Sequence, residues 1–133
     1  MNKLKKIVLV GAGSIAESVA EFLTHYDLNL IWVGPLHELS AEIEKNFSKR
    51  VFINISEITD LDFDKIANAD LVIVAVANNF NKVLGVTMFM REHGMQNIIS
   101  VANSKGEADV LMNVGAVGSF SPSPPYRSIE ELL

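Results

Sequence analysis

Apolar positions along this chain alternate between short unbroken runs and stretches in which they recur every three or four residues. Unbroken runs are typical of parallel strands buried on both faces, and the three-to-four spacing is typical of helices with one buried face. The run at 71–77 is the most apolar, which predicts a strand at the centre of a sheet. The predicted strands are residues 7–10, 28–33, 51–55, 71–77, 98–101 and 117–120.

Helical spacing fills the intervals between these strands. In the second interval, Leu36, Leu39, Ile43 and Phe47 would share one face of a helix. Gly94 is a typical residue at the end of a helix and closes the longest helical stretch. The predicted helical segments are residues 15–24, 35–47, 80–93 and 105–113, with one or two turns in 60–69 and a first turn in 128–133.

The first strand runs directly into a glycine-rich corner. Its sequence reads G-x-G-x-x-A, and it comprises Gly11, Ala12, Gly13, Ser14, Ile15 and Ala16. This spacing between a buried strand and a helix is typical of the phosphate-binding corner of a dinucleotide fold. The first glycine permits the turn, the second lets a pyrophosphate approach the backbone, and the small third residue lets helix and strand pack closely. The helix then directs N–H groups and the positive end of its dipole at the phosphate.

Alternating strands and helices require right-handed crossovers and a parallel sheet. With the glycine corner on the first strand, we predict a three-layer, doubly wound α/β fold of the Rossmann-like type, with strand order 3-2-1-4-5-6. Residues 1–122 would form this domain. Residues 123–133 would form a proline-rich segment and the start of a C-terminal helix.

Composition excludes several other classes of protein. Eleven basic and 16 acidic residues give a net charge of −5 without a basic cluster, which argues against nucleic acid as a partner. Zero cysteines exclude disulfides and fit a cytoplasmic location. No stretch reaches the roughly 18 apolar residues that span a bilayer, so we expect no direct membrane insertion.

Candidate chemistry beyond the glycine corner is sparse. His25, His37 and His93 are scattered without a paired carboxylate cluster, so we expect no metal site. His93 is instead expected at a helix C-terminus. Ser14 lies on the phosphate loop without His and Asp partners in the order that a hydrolase uses. We therefore expect no catalytic residues and no enzyme activity.

From residue 67 onward the pattern becomes more specific. It reads NADLVIVA at 68–75, NNFN at 78–81, IISVAN at 98–103 and VGAV at 114–117, followed by Ser121-Pro122. In this order and spacing, the chain resembles the N-terminal domain of the RCK/KTN family, also called TrkA-N, which regulates potassium channels and transporters. The resemblance covers the chain from Lys5 to about Pro122.

The resemblance implies a regulatory, non-catalytic domain that senses NAD(H) or an adenine nucleotide (ATP, ADP or AMP). It further implies a homodimer or higher oligomer that acts on a membrane potassium channel or transporter subunit, at the inner face of the membrane. In the family, the helix after the sixth strand crosses to a partner domain. By position, the implied ligand contacts are the glycine corner together with Gly34, Pro35, Asn54, Ala77 and Asn78.

Two family carboxylates are missing around the expected cleft. Dinucleotide folds usually end the second strand with an acid that binds the ribose hydroxyls, but here Gly34-Pro35 ends it. Loss of such a bond costs roughly 1.5–3 kcal/mol. Gly34 either makes room for the 2′-phosphate of NADP or ends selection of ribose altogether. Asn54-Ile55-Ser56 stands where the family often has Gly-Asp-Ala. The pocket is therefore either degenerate, without a bound nucleotide, or adapted to an unusual ligand.

Several readings remain open from the residues alone. Trp32 is either a core residue or a ring that stacks on adenine, and Asn78-Asn79 is either a turn or a ligand contact. The chain could instead be an accessory domain of a larger protein such as a phosphoesterase, or an NAD(P)-dependent oxidoreductase. Its end at Leu133 fits a trimmed chain or a subunit without the usual C-terminal ligand domain.

Overall fold

Six parallel strands form one sheet in the computed structural model, which describes residues 5–35, 39–76 and 79–133. The strands are β1 (Lys6–Gly11), β2 (Asn29–Gly34), β3 (Phe47–Phe52), β4 (Leu71–Ala75), β5 (Ile98–Val101) and β6 (Gly118–Phe120). They lie in the order β3-β2-β1-β4-β5-β6, and every pair is parallel. The predicted Rossmann-like α/β fold and its strand order are therefore confirmed.

Helices cover the sheet between the strands. The helices are α1 (Gly13–Leu23), α2 (Ala41–Glu44), α3 (Phe80–Glu92), α4 (Lys105–Asn113) and α5 (Arg127–Glu130), with 3-10 helices at Ile55–Asp60 and Phe63–Ile66. Helix α1 packs on β1 and β4, whereas α3 packs on β4 and β5. No helix in the described ranges is long and apolar enough to cross a membrane.

The predicted helix over 35–47 is largely wrong. Only Ala41–Glu44 is α-helical within its described part, and Leu36 lies outside the described residues. Phe47 begins β3, so the strand predicted at 51–55 starts four residues earlier. The register of β3 against β2 shifts between Leu30 and Ile31, so Ser48 has no Cα partner in the ladder. This irregularity leaves Phe47 and Val51 as the buried residues of β3, a spacing of four that also fits a helix.

The core lies on the central strands. Every residue of β4 is buried, as are the residues of β1 after Lys6, which explains their unbroken apolar sequences. Trp32 on β2 is 1% exposed, which confirms it as a core residue. One polar contact lies within the core, where the hydroxyl groups of Thr87 and Ser100 are 2.7 Å apart.

The segment after β6 folds back on the same domain. Helix α5 packs against β6, and Ile129 is fully buried. The ring of Tyr126 contacts Phe22 of α1, with 5.4 Å between the ring centroids, and its hydroxyl donates a 2.6 Å hydrogen bond to Ser18. These contacts join the end of the described chain to the helix that begins at the glycine corner.

Candidate functional site

The glycine corner joins β1 to α1 with almost no spare room. Gly11 is the last residue of β1 and pairs with Ala75 of β4. A Cβ on Gly11 would lie 2.6 Å from the carbonyl oxygen of Ala75 and 2.7 Å from the Cβ of Ala16. Both distances are too short for real atoms, so the close approach of strand and helix requires a glycine at 11 and a small residue at 16.

The second glycine of the corner faces open space. Gly13 has a φ of +85°, in the left-handed region that favours glycine. A Cβ built on Gly13 meets no atom within 4 Å. The space on the Cβ side of Gly13 is therefore open, and the absence of a side chain keeps it so.

The N-terminus of α1 carries no side-chain cap. Ala12, the residue before the helix, has extended backbone angles (φ −151°, ψ 149°) and no capping hydrogen bond, and the first turn contains no acid. Helix α4 differs, because Ser104 Oγ accepts from the N–H of Glu107 while the Glu107 carboxylate accepts from the N–H of Asn103. No capping side chain of Ala12 and no acid of the first turn thus lies at the positive end of the α1 dipole, which is the end that attracts phosphate.

A shallow cavity adjoins the ends of β2 and β3. It has a volume of about 250 Å³ and is lined by Pro35, Phe52, Ile53, Asn54 and Glu57. The N–H of Ile53 donates a 2.9 Å hydrogen bond to the carbonyl oxygen of Gly34, which fixes the two strand ends side by side. The structure therefore brings the predicted residues Gly34, Pro35 and Asn54 together at one edge.

Sequence reasoning did not select three residues of this cavity, which are Phe52, Ile53 and Glu57. Phe52 is the last residue of β3, and half of its surface is exposed. Glu57 is an exposed residue of the 3-10 helix that follows β3. The strand predicted at 51–55 placed Phe52 inside the strand, whereas β3 ends at Phe52.

Gly34 has no room for a side chain. A Cβ there would overlap the carbonyl oxygen of Gly11 and would lie 2.6 Å from Cζ2 and 2.8 Å from Cε2 of Trp32. The indole ring packs edge-on against Phe52, with 6.0 Å between the centroids. The side-chain position at the end of β2 is thus filled by Trp32 and by the backbone of the glycine corner.

Two ligand contacts, Ala77 and Asn78, are predicted directly after β4. Ala77 and Asn78 lie outside the described residues, as do His37 and Glu38. Ala75 ends β4 opposite Gly11, so the carboxyl end of β4 lies beside the glycine corner. Asn79 caps α3, with its Oδ1 accepting a 3.3 Å hydrogen bond from the N–H of Lys82.

Other polar clusters lie away from this edge. A cavity of about 820 Å³ at the amino ends of the strands is lined by residues that include Lys6, Asn29 and Asp70. Its polar groups are partly satisfied, since Asp70 accepts a 2.7 Å hydrogen bond from the N–H of Lys6. Within the described ranges, no three His, Cys, Asp or Glu side chains are grouped to hold a metal ion. His93 caps the C-terminus of α3 and contacts the Phe89 carbonyl through Nδ1 at 2.9 Å.

Solved structures share this fold. The GsuK channel bound to NAD matches with a TM-score of 0.68 and 23% identity, over 89% of this chain and 21% of that one. The AMP-bound Kef CTD of Shewanella denitrificans matches with a TM-score of 0.67 and 17% identity, over 96% and 77%. A short-chain dehydrogenase/reductase of Veillonella parvula matches with a TM-score of 0.59 and 19% identity, over 75% and 48%.

The chain thus spans less than half the length of the channel and of the dehydrogenase. A search of curated proteins finds no significant match. The family model of the TrkA-N domain, in contrast, matches residues 7–122. That range contains the glycine corner, the six-stranded sheet except for Lys6, and the cavity beside Gly34. The chain belongs to the TrkA-N domain family.

Proposed function

We propose that this chain is a regulatory, non-catalytic domain that binds NAD(H) or an adenine nucleotide and thereby controls potassium or other cation transport. The observation that carries the proposal is the corner between β1 and α1. There the open space on the Cβ side of Gly13 adjoins a helix N-terminus without a side-chain cap. Backbone N–H groups and the helix dipole at such a corner bind phosphate without any positively charged side chain.

The ligand would lie across the carboxyl ends of the strands. Its phosphates would contact residues 11–16, and its base would extend toward Pro35, Phe52 and Asn54, which line the adjoining cavity. Solved structures that share this fold support this class of ligand, since they include a channel bound to NAD and a Kef CTD bound to AMP. Ligands in open α/β sheets bind at this edge as a rule.

A non-catalytic role fits the chemistry of the corner. Residues 11–14 of the corner are Gly, Ala, Gly and Ser, which offer backbone N–H groups to a phosphate and include no histidine or carboxylate to transfer a proton. Ser14 is the hydroxyl nearest in sequence, and it lies inside the first turn of α1. Regulation would therefore follow from binding alone, by a change in how the domain contacts its partners.

Association with other chains is part of the proposal. Apolar side chains remain exposed on α3, on α4 and before β6, including Met88 (40%), Met112 (52%) and Val117 (47%). Such residues are available to a second copy of the domain or to a transport subunit. We expect light scattering at high protein concentration to give a dimer or larger species, and a strictly monomeric profile would contradict this part of the proposal.

The direct test is a thermal-shift panel with NAD, NADH, NADP, NADPH, ATP, ADP and AMP. A ligand at 100 times its dissociation constant adds about 2.7 kcal/mol, which raises the Tm of a domain of this size by several degrees. Gly13→Asp should abolish the shift, because the new carboxylate enters the phosphate position. Gly94→Asp is the matched control. Gly94 follows the C-terminus of α3, has a similar φ of +89°, and a Cβ built on it also meets no atom within 4 Å.

Two outcomes would redirect the proposal. A panel without any shift would favour an accessory domain with a degenerate pocket, for which the filled space at Gly34 is the supporting observation. Oxidation of NADH by the purified chain would favour an oxidoreductase, the function of the dehydrogenase/reductase that shares its fold. A shift that Gly13→Asp abolishes and Gly94→Asp preserves supports the regulatory nucleotide site.

A further inference from the structure

The end of β2 has no carboxylate, and the space that a carboxylate side chain would need there is already occupied. The acid that binds ribose hydroxyls in dinucleotide folds projects from this strand end. Here a Cβ on Gly34 would overlap the carbonyl oxygen of Gly11 and press on the ring of Trp32. The obstacle comprises backbone and a buried ring, so no acidic side chain fits without rebuilding the corner.

The ring of Trp32 has little freedom to move aside. It is 1% exposed and packs edge-on against Phe52. Because protein interiors are close-packed, displacement of a buried indole disturbs every neighbour. The ring that fills the side-chain space at Gly34 is therefore held in place.

Gly34 and the buried Trp32 offer a ribose no accessible hydrogen-bonding side chain, so the polar side chains of the adjoining cavity are those of Asn54 and Glu57. The indole Nε1 is buried and has no hydrogen-bond partner within the described part of the chain. It is therefore out of reach of a ligand in the cleft. Glu57 is the acid among the residues that line the adjoining cavity, and it is exposed to solvent, which weakens its charge effects.

We propose that this site holds its nucleotide by the phosphates and the base and does not read the 2′ position of the ribose. The inference rests on the proposed function and specifies its ligand class: adenine nucleotides with a 2′-hydroxyl, a 2′-hydrogen or a 2′-phosphate are accepted alike. A site rejects an analogue strongly only when its own polar groups are left unpaired by that analogue. Gly34 has no side chain, so loss of the 2′-hydroxyl leaves no group unpaired there and a 2′-phosphate meets no negative charge there.

Calorimetric titration of the wild-type chain with two ligand pairs tests this. We expect the dissociation constants of ATP and 2′-deoxy-ATP, and those of NAD and NADP, to agree within about threefold in each pair. A preference of tenfold or more for the 2′-hydroxyl form, about what one charge-assisted hydrogen bond gives, would overturn the inference while leaving the proposed function intact. Absence of binding by all four ligands would overturn both.

A second measurement tests the steric premise without any ligand. Gly34→Ala should lower Tm by about 5 °C or more, because its Cβ meets the Gly11 carbonyl and the indole. Gly85→Ala is the control, since a Cβ on Gly85 in α3 meets nothing within 4 Å and should leave Tm unchanged or raised. A Gly34→Ala variant as stable as the wild type would show that the space is free and would overturn the inference.

Discussion

Gly11 and Ala16 lie in direct contact across the corner between β1 and α1, so that a Cβ on Gly11 would stand 2.7 Å from the Cβ of Ala16. This contact sets how closely the helix approaches the strand. It thereby places the uncapped N-terminus of α1 beside the carboxyl ends of β1 and β4. The two glycines of the corner thus differ in role: Gly11 allows the packing, and Gly13 leaves the approach to the backbone open.

Replacement of the packing glycine should damage the fold. We expect Gly11→Ala to lower the free energy of unfolding by about 1–3 kcal/mol, as overpacking of a close contact does. Denaturant unfolding monitored by Trp32 fluorescence measures this. Gly106→Ala is the control, because a Cβ there meets nothing closer than Ser104 Oγ at 3.9 Å. Equal stability of Gly11→Ala and the wild type would contradict the described contact.

The segment after β6 should contribute to the stability of the domain. Ile129 is fully buried, so Ile129→Ala should cost about 2–5 kcal/mol. Leu132, three residues later, is 38% exposed, and Leu132→Ala should have a small effect. Thermal or denaturant unfolding compares the two variants. Similar, small losses would indicate that this segment is not anchored to the domain.

The buried hydroxyl pair should act as a unit. Thr87 donates a 2.8 Å hydrogen bond to the carbonyl oxygen of Val83 and lies 2.7 Å from the hydroxyl of Ser100. Each of Thr87→Val and Ser100→Ala leaves a buried hydroxyl with one partner fewer, at a cost of about 1–3 kcal/mol. The double variant should lose less than the sum of the two, with a coupling of about 0.5–3 kcal/mol. Strict additivity in this double-mutant cycle would contradict the contact.

Alkaline pH should weaken the contact between Tyr26 and Glu130. The Tyr26 hydroxyl donates a 2.6 Å hydrogen bond to Glu130, and this bond, with smaller contributions from desolvation and the carboxylate charge, raises the pKa of Tyr26 above its ordinary value of 10.0. Since the folded state holds the proton more tightly, the stabilisation is complete below pH 10.0 and is lost as pH rises through the folded-state pKa.

Comparison with Tyr26→Phe isolates this effect. From about pH 9 to about pH 11, the Tm of the wild type should fall more steeply than that of the variant, which has no proton to lose at this position. In a Glu130→Gln background, the pH profiles of Tm with and without Tyr26→Phe should differ less, since the carboxylate that accepts the hydrogen bond is absent. Parallel pH profiles of the wild type and Tyr26→Phe would contradict the prediction.

Where the hydrophobic pattern agrees with the packing, the sequence was sufficient to predict the strands, the helices and their order. The predicted strand at 98–101 and helix at 105–113 coincide with β5 and α4. The strand order followed from the glycine corner and the handedness of crossovers. The error around β3 has a local physical cause: its irregular register replaces strand alternation with a spacing of four between Phe47 and Val51.

The candidate site was predictable only in part, for a different reason. Residues 11–16, Gly34, Pro35 and Asn54 were selected from a motif and a family resemblance, and the structure brings them to one edge. The crowding at Gly34 was not predictable, because it depends on the Gly11 carbonyl and the Trp32 ring, which reach it through strand pairing and side-chain packing. The missing acid was visible in the sequence, and the filled space was visible only in three dimensions.

The most direct test of the central claim is an amide chemical-shift titration of the ¹⁵N-labelled chain with ATP and with NAD. We predict that the largest changes occur at residues 11–16 and around Phe52 and Asn54, and that Gly13→Asp removes them while Gly94→Asp does not. Changes confined to Lys6, Asn29 and Asp70 at the opposite edge of the sheet, or no changes with either ligand, would contradict a nucleotide site at the glycine corner.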